Sequence, residues 1–576
     1  DGTMKQVAVT DLNTYLGGVS SINDLSDALV ETNSMYIGNV PSSTNDAIAN
    51  VAVGTTALDA ITTGDGNTAV GYEALTANTS GGNNDASGYQ SLYSNTEGSN
   101  NTASGYASLY SNTTGAQNTA VGGQALWKNQ TGTSNTAVGQ YALKQFRASG
   151  DTYNTAVGRS AMRGPNSDSE YIIGINNTAV GAGSMKVITS GSNNTALGYW
   201  SQYGATITGD KNTSVGATSM QSLVNGASNS AVGYGALYAI TGGDYNNALG
   251  KDALKSLTSG DYNIGVGNSS LRDVTTGDKN VAIGQSSLQN NTASGNTAIG
   301  YNSAIANTSG TYNTAVGYKA LAANTTADYN TAVGYNSMLS TAGAGTFNTG
   351  LGARSLETNT TGDDNTGIGV YSMFTNATGN ENTGVGRNSL YATTGSYNTS
   401  LGWYSANEIT SGTYNTVIGH NTSASGATAV NQTVIGAGAT GQANNSVTLG
   451  NADVTAVYAS QDGQATVYTG GLVLEGATAN AHETTLGVVD PTADATLNLP
   501  AMGAGTYYVP VLAAASTTSI TSTPAELNIM DGSATIQATV TLQGSDGIVI
   551  SDGDVIKQAL VSDIATYVGS NSHATT

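Results

Sequence analysis

The chain has 576 residues, enough for a sizeable buried core and too many for one ordinary domain. Only 9% of them are charged and 38% are hydrophobic, which excludes charge-driven disorder despite 76 glycines, and a formal charge of −22 argues against phosphate backbones and anionic lipid as partners. Cysteine is absent, so there is no disulfide, thiolate or cysteine metal site, and no run of about eighteen apolar residues exists to span a bilayer.

The first element, residues 1–33, reads as a connector. The chain opens on Asp1, and a processed product or a piece of a longer chain is expected. DGTMKQVAVTDLNTYLGG (1–18) echoes residues 552–570. Both stretches predict a short amphipathic strand followed by a helix, with Asp11 and Asp563 near the helix starts. Either they are two copies of a common connector, or the C-terminal end of one molecule imitates the N-terminal end of the next. The second arrangement gives head-to-tail polymers, because a heterologous contact propagates without closing.

Residues 34–452 are a repeat. GNTAVGYEALTANTSGG (66–82) recurs with small changes, and the glycine of its NTAVG pentad serves as a reference, from Gly54, Gly71 and Gly88 to Gly419, Gly436 and Gly450. The 24 reference glycines define 23 intervals, of which 16 are seventeen residues, and a fixed period of that kind means a repeat architecture. Seventeen residues are too few for a helix pair, and Gly, Asn and Thr stand where a helix wants Ala, Leu or Glu. In the pentad Thr68 and Val70 point one way and Ala69 and Gly71 the other, in the strand manner. The stretch with Leu75 is a candidate second short strand, and the NTSGG segment has the chemistry of a tight left-handed corner. The expected fold is all-β: a parallel β-solenoid, or β-roll, of about 24 coils. At about 4.8 Å per coil the stack is on the order of 115 Å long.

Positions are numbered here from each reference glycine. At −4, 22 of 24 coils have Asn, the exceptions being Gln432 and Ser446, and stacked amides of this kind bond coil to coil. At −1, 22 of 24 have Val, Ile or Leu, with Ser87 and Ser104 the departures; at −2, 21 of 24 have Ala, Gly or Ser. Leu or Met dominates at +4. One strand face is therefore small and the other aliphatic, and the sequence leaves open which points inward. A thin coil fills only one of them from within, so the other is a long apolar stripe that predicts an oligomer with its subunits packed side by side.

These residues carry a resemblance. The N-[ST]-x-[VIL]-G coil resembles the head repeat of trimeric autotransporter adhesins, which implies a left-handed parallel β-roll trimer; the longer period here implies a wider roll or longer corners. The expanded phrase NTAVGYxAL…NTTG is similar to repeats of long fibre proteins of tailed bacteriophages, marine ones especially. Beyond the roll, NSVTLGNADVTAVYASQDG (445–463) reads as an exit, and residues 453–513 as a small β-domain of alternating strands with turns at Asp490-Pro491 and Gly503–Gly505. Residues 514–576 form a second connector. GLVLEGATANAHETTLGVVDPTADATLNLPAMGAGTYYVPVLA (471–513), STPAELNIMDG (522–532) and SDGDVIKQALVSDIATYVGS (551–570) resemble linking modules of phage tail-fibre and virion proteins. The match is specific in these ends and a looser pattern in the repeat, and together they cover most of the chain.

Chemistry is sparse. His420, His482 and His573 lie far apart and show no metal spacing, and no GxxxxGK[ST] occurs, so no cofactor and no metal are expected. Glycosidic cleavage needs two carboxylates about 5–10 Å apart. The corner acids Asp210, Asp244, Asp261, Asp278, Asp328, Asp363, Asp364 and Glu381 occupy one repeated turn position and read as structural. Two aromatic columns are the better lead, because Tyr outnumbers Phe 31 to 3, as suits rings with a wet edge. One, at +1, is Tyr72, Tyr89, Tyr106, Tyr199, Tyr234, Tyr301, Tyr318, Tyr335 and Trp403. The other, at −5, is Tyr153, Tyr245, Tyr262, Tyr312, Tyr329, Phe347, Tyr397 and Tyr414. Such rings can grip sugar faces, line a subunit interface or stack to stiffen the rod. The two longest intervals bulge around GPNSDSEYIIGI (164–175), where Asp168, Glu170 and Tyr171 are a candidate binding loop or part of a neutral insertion.

The expected function is that of a non-enzymatic phage tail or capsid fibre. It sits on the virion surface or outside the cell, reaching a host glycan through many weak contacts. A bacterial filament or adhesin subunit polymerising end to end is the alternative, and a polysaccharide depolymerase the third.

Overall fold

The computed structural model describes residues 28–457, apart from 32, 39–40, 42–45, 168, 342 and 344, and four strand segments further on. The chain divides into two compact units, Asp1–Ala465 and Thr466–Thr576. Among the described residues there is no helix.

The first unit holds a 26-stranded sheet and a small parallel pair, Gly132–Thr133 with Gly150–Asp151. Strand β1 (Ala28–Glu31) pairs antiparallel with β2 (Ser34–Ile37), which pairs parallel with β3 (Val51–Val53); β3 pairs with β4 (Thr68–Val70). From there each coil adds one three-residue strand in parallel register, to Val447–Leu449, most often with Thr on Thr, as in Thr314 on Thr331 and Ala315 on Ala332. Removing β1 and β2 from the 26 leaves 24 coil strands, one for each reference glycine. The antiparallel β1 covers the edge from which the stack starts, a common way of blunting a free strand.

The small face points inward. Ala69, Ala86 and their equivalents are buried, and so is the +4 column that packs behind them, Leu75, Leu92 and Leu109. Burying a leucine in this way contributes about 1.5–3 kcal/mol. The −4 asparagines complete the interior. Asn67 donates its backbone N–H to Asn50 Oδ1 at 2.8 Å and its Nδ2 to the same oxygen at 3.1 Å and to the Gly81 carbonyl at 3.0 Å. The backbone bond to the Oδ1 below recurs at every coil up to Gln432, which donates to Asn415 Oδ1 at 3.0 Å. A buried amide is tolerated because it is paired, and the pairing needs another Asn one coil away.

The segment after the glycine is not a second strand. Glu73 and Leu75 have φ of +55° and +52°, and the same alternation marks +2 and +4 in most coils. Left-handed backbone in a residue with a Cβ costs roughly 1–2 kcal/mol. Here it turns the chain tightly while keeping the ladder intact. Glu73 donates to the Thr55 carbonyl on one side at 3.1 Å, and Leu75 to the Ser91 carbonyl on the other at 3.0 Å. Nor is the NTSGG corner left-handed. Asn78 is buried, donating Nδ2 to the Gly81 carbonyl at 2.8 Å, and the left-handed residue comes later, at Asn83 (φ +57°). Gly81 is glycine for space, since a Cβ there would lie 2.3 Å from the Gly98 carbonyl oxygen. The reference glycine needs both freedoms: Gly71 has φ +134°, and its Cβ would meet the Gly88 oxygen at 2.6 Å.

In the second unit, Gly471–Leu474 pairs antiparallel with Thr484–Gly487, and Gly547–Asp552 with Val555–Leu560. The expected strand-then-helix at 1–18, the helix at Asp563 and most of the proposed small β-domain lie outside the described residues.

Candidate functional site

With the small face inside, Thr and the aliphatic −1 column face out along the whole stack. Val70 is 41% exposed and Leu249 51%; about half of the aliphatic residues in this column are exposed and the rest are half-buried. The two aromatic columns predicted from sequence stand at either end of this strand, at −5 and +1, and their rings are exposed.

Each column is brought together coil on coil. At +1, Tyr72, Tyr89 and Tyr106 stack with centroids 5.2 and 5.5 Å apart, and Tyr301, Tyr318 and Tyr335 at 5.4 Å. Tyr199 stacks on Trp200, and Trp403 on His420 at 4.7 Å; Tyr234 lines a groove with Trp200 and Tyr238. At −5, Tyr245–Tyr262, Tyr312–Tyr329–Phe347 and Tyr397–Tyr414 stack at 4.7–5.2 Å. Tyr153 is exposed between coils that carry Ser134 and Asn176 at this position. Inside these runs each ring face is occupied by its neighbour, so the edges are what solvent meets. The −5 rings sit on left-handed backbone (Tyr262 φ +58°), where other coils use Asn, Ser or Asp at lower cost. Stacking of about 0.5–1.5 kcal/mol per pair offsets that strain.

The corner carboxylates are tied into the coil. Asp244 Oδ1 accepts the Ala227 N–H at 2.7 Å, Asp261 the Asp244 N–H at 2.8 Å, and Asp278 the Asp261 N–H at 2.8 Å. Asp210, Asp328 and Asp363 do the same for Ser192, Thr311 and Thr346. Asp65, which the sequence reading passed over, accepts from Ile48 N–H at 2.9 Å. Asp364 and Glu381 fall one residue later, on left-handed backbone.

In the candidate loop, Glu170 is exposed and the Tyr171 ring lies 4.3 Å from the Arg147 guanidinium, while Asp168 lies outside the described residues. The loop rejoins the stack at Ile172, which is buried and bridges Phe146.

A third outward column, at +5, went unrecognised in the sequence because its residue type changes along the chain. After Asp59 and Thr76, Tyr93, Tyr110 and Trp127 occupy it; Tyr93 and Tyr110 stack at 4.9 Å, and burial in this stack raises the Tyr110 hydroxyl pKa. Lys144, Arg163 and Lys186 follow, then Tyr203. Backbone bonds fix the register: Ser111 N–H to Trp127 O, Lys128 N–H to Lys144 O, Gln145 N–H to Arg163 O and Gly164 N–H to Lys186 O, at 2.9–3.1 Å. The signal available in the sequence was positional, a run of rings followed by a run of cations in a column otherwise of mixed type, and it shows only when the coils are aligned.

No family model matches the chain, and no curated protein matches it.

Proposed function

We propose that this chain is a non-enzymatic structural fibre of a phage virion, exposed on the virion surface or outside the cell, that provides reach and multivalent attachment to a host surface. The observation that carries this reading is the aliphatic stripe exposed along a stack of 24 in-register coils. A single coil has no room to bury it, and a stripe of that length fits other copies of the same rod, so the working unit of the reading is a side-by-side homotrimer. Asp210, Asp244, Asp261, Asp278, Asp328 and Asp363 favour a structural role over catalysis, because each gives Oδ1 to a backbone N–H group. Contact with a host glycan, rather than with nucleic acid or a membrane, completes the proposal; each contact is weak and the repeat multiplies it.

Sedimentation of the full chain is the test. An elongated species at three times 57.7 kDa supports the fibre. Open-ended polymers transfer support to a bacterial filament, and a monomer overturns the trimer and the packing argument with it.

A further inference from the structure

Charge is segregated around the coil. Between residues 54 and 450, ten of the fourteen basic residues fall at +1, +2 or +5, whereas nine carboxylates fall at −5 or −6. A chain of net charge −22 thus presents most of its cations along one side, where only Asp59, Glu73, Asp252 and Glu357 share positions +1, +2 and +5 with them. Their density is highest where the +5 column carries Lys144, Arg163 and Lys186 on three consecutive coils, about 5 Å apart along the stack. Like charges at that spacing repel, and no fold requirement places them there, since Gln221, Gln289 and Asn407 fill the same position elsewhere.

Rings border the run at both ends. Lys128 and Lys144 lie 4.3 and 5.1 Å from the Trp127 ring, and Lys186 Nζ donates to Tyr203 Oη at 2.9 Å and lies 5.0 Å from its ring. Arg163 faces the Tyr141 ring at 5.6 Å, and its Nε is buried without a hydrogen-bond partner. All of these side chains are half-buried, so part of their hydration is already removed. The insertion carrying Glu170 and Tyr171 begins directly after Arg163, so the longest departure from the repeat is spent here.

We infer that the cation column Lys144–Arg163–Lys186, with Trp127 and Tyr203 as its shoulders, binds an acidic polysaccharide. A polymer with one anionic group per sugar ring uses both features: carboxylate or sulfate against the cations, and apolar ring faces against the aromatic shoulders. The inference rests on the attachment reading above and names its ligand class and place on the rod.

The test is binding of the full-length chain to three soluble polymers, alginate, dextran sulfate and uncharged dextran. Binding to alginate or dextran sulfate but not dextran is expected, weakening as salt rises. The double variant Arg163→Gln/Lys186→Gln should lose roughly ten-fold or more in affinity, in line with the strength of charge-assisted bonds. Lys211→Gln/Lys279→Gln, which removes the same charge from the −5 column, should bind as the parent does, and sedimentation of all three proteins should agree. Equal loss in both double variants, unchanged binding in the first, or equal affinity for single-stranded DNA overturns the assignment. Binding of dextran alone overturns this inference and leaves the attachment reading standing; binding of no surface polymer and no host cell overturns both. Preference between alginate and dextran sulfate separates a carboxylate ligand from a sulfate one.

Discussion

Position +7 is filled in two opposite ways. In one run of coils it is Asn78, Asn95, Asn112 and Asn129; in another it is Leu223, Ile240, Leu257 and Val274, and every one of these side chains is buried. The backbone is the same, so the corner accepts either chemistry. Asn359 and Asn376 are held within their own coils by Gly362 and Gly379, whereas between Asn78 and Asn129 the amides also pair with one another. Asn95 donates Nδ2 to Asn78 Oδ1 at 2.8 Å, Asn112 to Asn95 and Asn129 to Asn112 at the same distance, so each amide is the partner of the next. Where the run stops, at Phe146, Asn129 Oδ1 is left without a partner, and Asn324 Oδ1 is left likewise before Thr341. In such a paired run a substitution inside the run breaks a bond on each side, whereas one at its end breaks a bond on one side only.

That comparison can be broken or sharpened in four ways. The largest effect is expected at −4, where the amides run through both regions. Asn101→Leu leaves the Asn118 N–H without its acceptor, takes one of two acceptors from the Asn118 amide and one of two donors from Asn84 Oδ1, and should cost about 3–5 kcal/mol, read from the urea midpoint. Next comes Leu257→Asn, a lone amide among aliphatic neighbours. It should cost about 3 kcal/mol, and a cost below about 1 would mean that the aliphatic corner tolerates a lone amide. Third is a pair. Asn95→Leu in mid-run should cost about 2–3 kcal/mol, while Asn129→Leu should stay within about 1, because it only moves the unpartnered oxygen from Asn129 to Asn112. Equal costs would refute the boundary argument.

The smallest effect concerns Glu408, beside Ile409 in an aliphatic corner. Burial pushes its carboxyl pKa above the ordinary value of 4.5, opposed by the Ala424 N–H that Oε1 accepts, and Oε2 has no partner. The folded chain then holds this proton more tightly than the unfolded chain. Its stabilising contribution is complete below the ordinary carboxylate pKa and is lost as pH rises through that value towards the raised one. Glu408→Gln should therefore raise the melting temperature at pH 7 and leave it unchanged at pH 3. The opposite pattern would show that the carboxylate form is the stabilised one.

Much of the fold was legible in the sequence because a solenoid is periodic in one dimension. The spacing of the reference glycines returned the coil count, and the conserved spacing of Asn50 to Asn415 marked the amide ladder before any coordinate was known. The site was legible only in part. Both tyrosine columns keep one residue type long enough to be seen, whereas the +5 column changes from Tyr93 to Trp127 to Lys144 and keeps only its place. The role of Asn78 was missed because Asn beside Gly is also the signature of a left-handed turn, and local composition does not distinguish an amide that turns the chain from one that pairs with the next coil.

The sequence by itself determined the period, the parallel in-register stacking and the identity of the repeating columns, since each follows from residue spacing alone. Only the tertiary structure decided which strand face is inside, that the chain turns through left-handed Glu73 and Leu75 rather than a second strand, and that Trp127, Tyr141 and Tyr203 meet Lys144, Arg163 and Lys186. The reason is geometric. Spacing records how far apart two residues are along the chain, while sidedness depends on the φ at every corner between them, and those angles are set by the hydrogen bonds and close backbone contacts of the neighbouring coil.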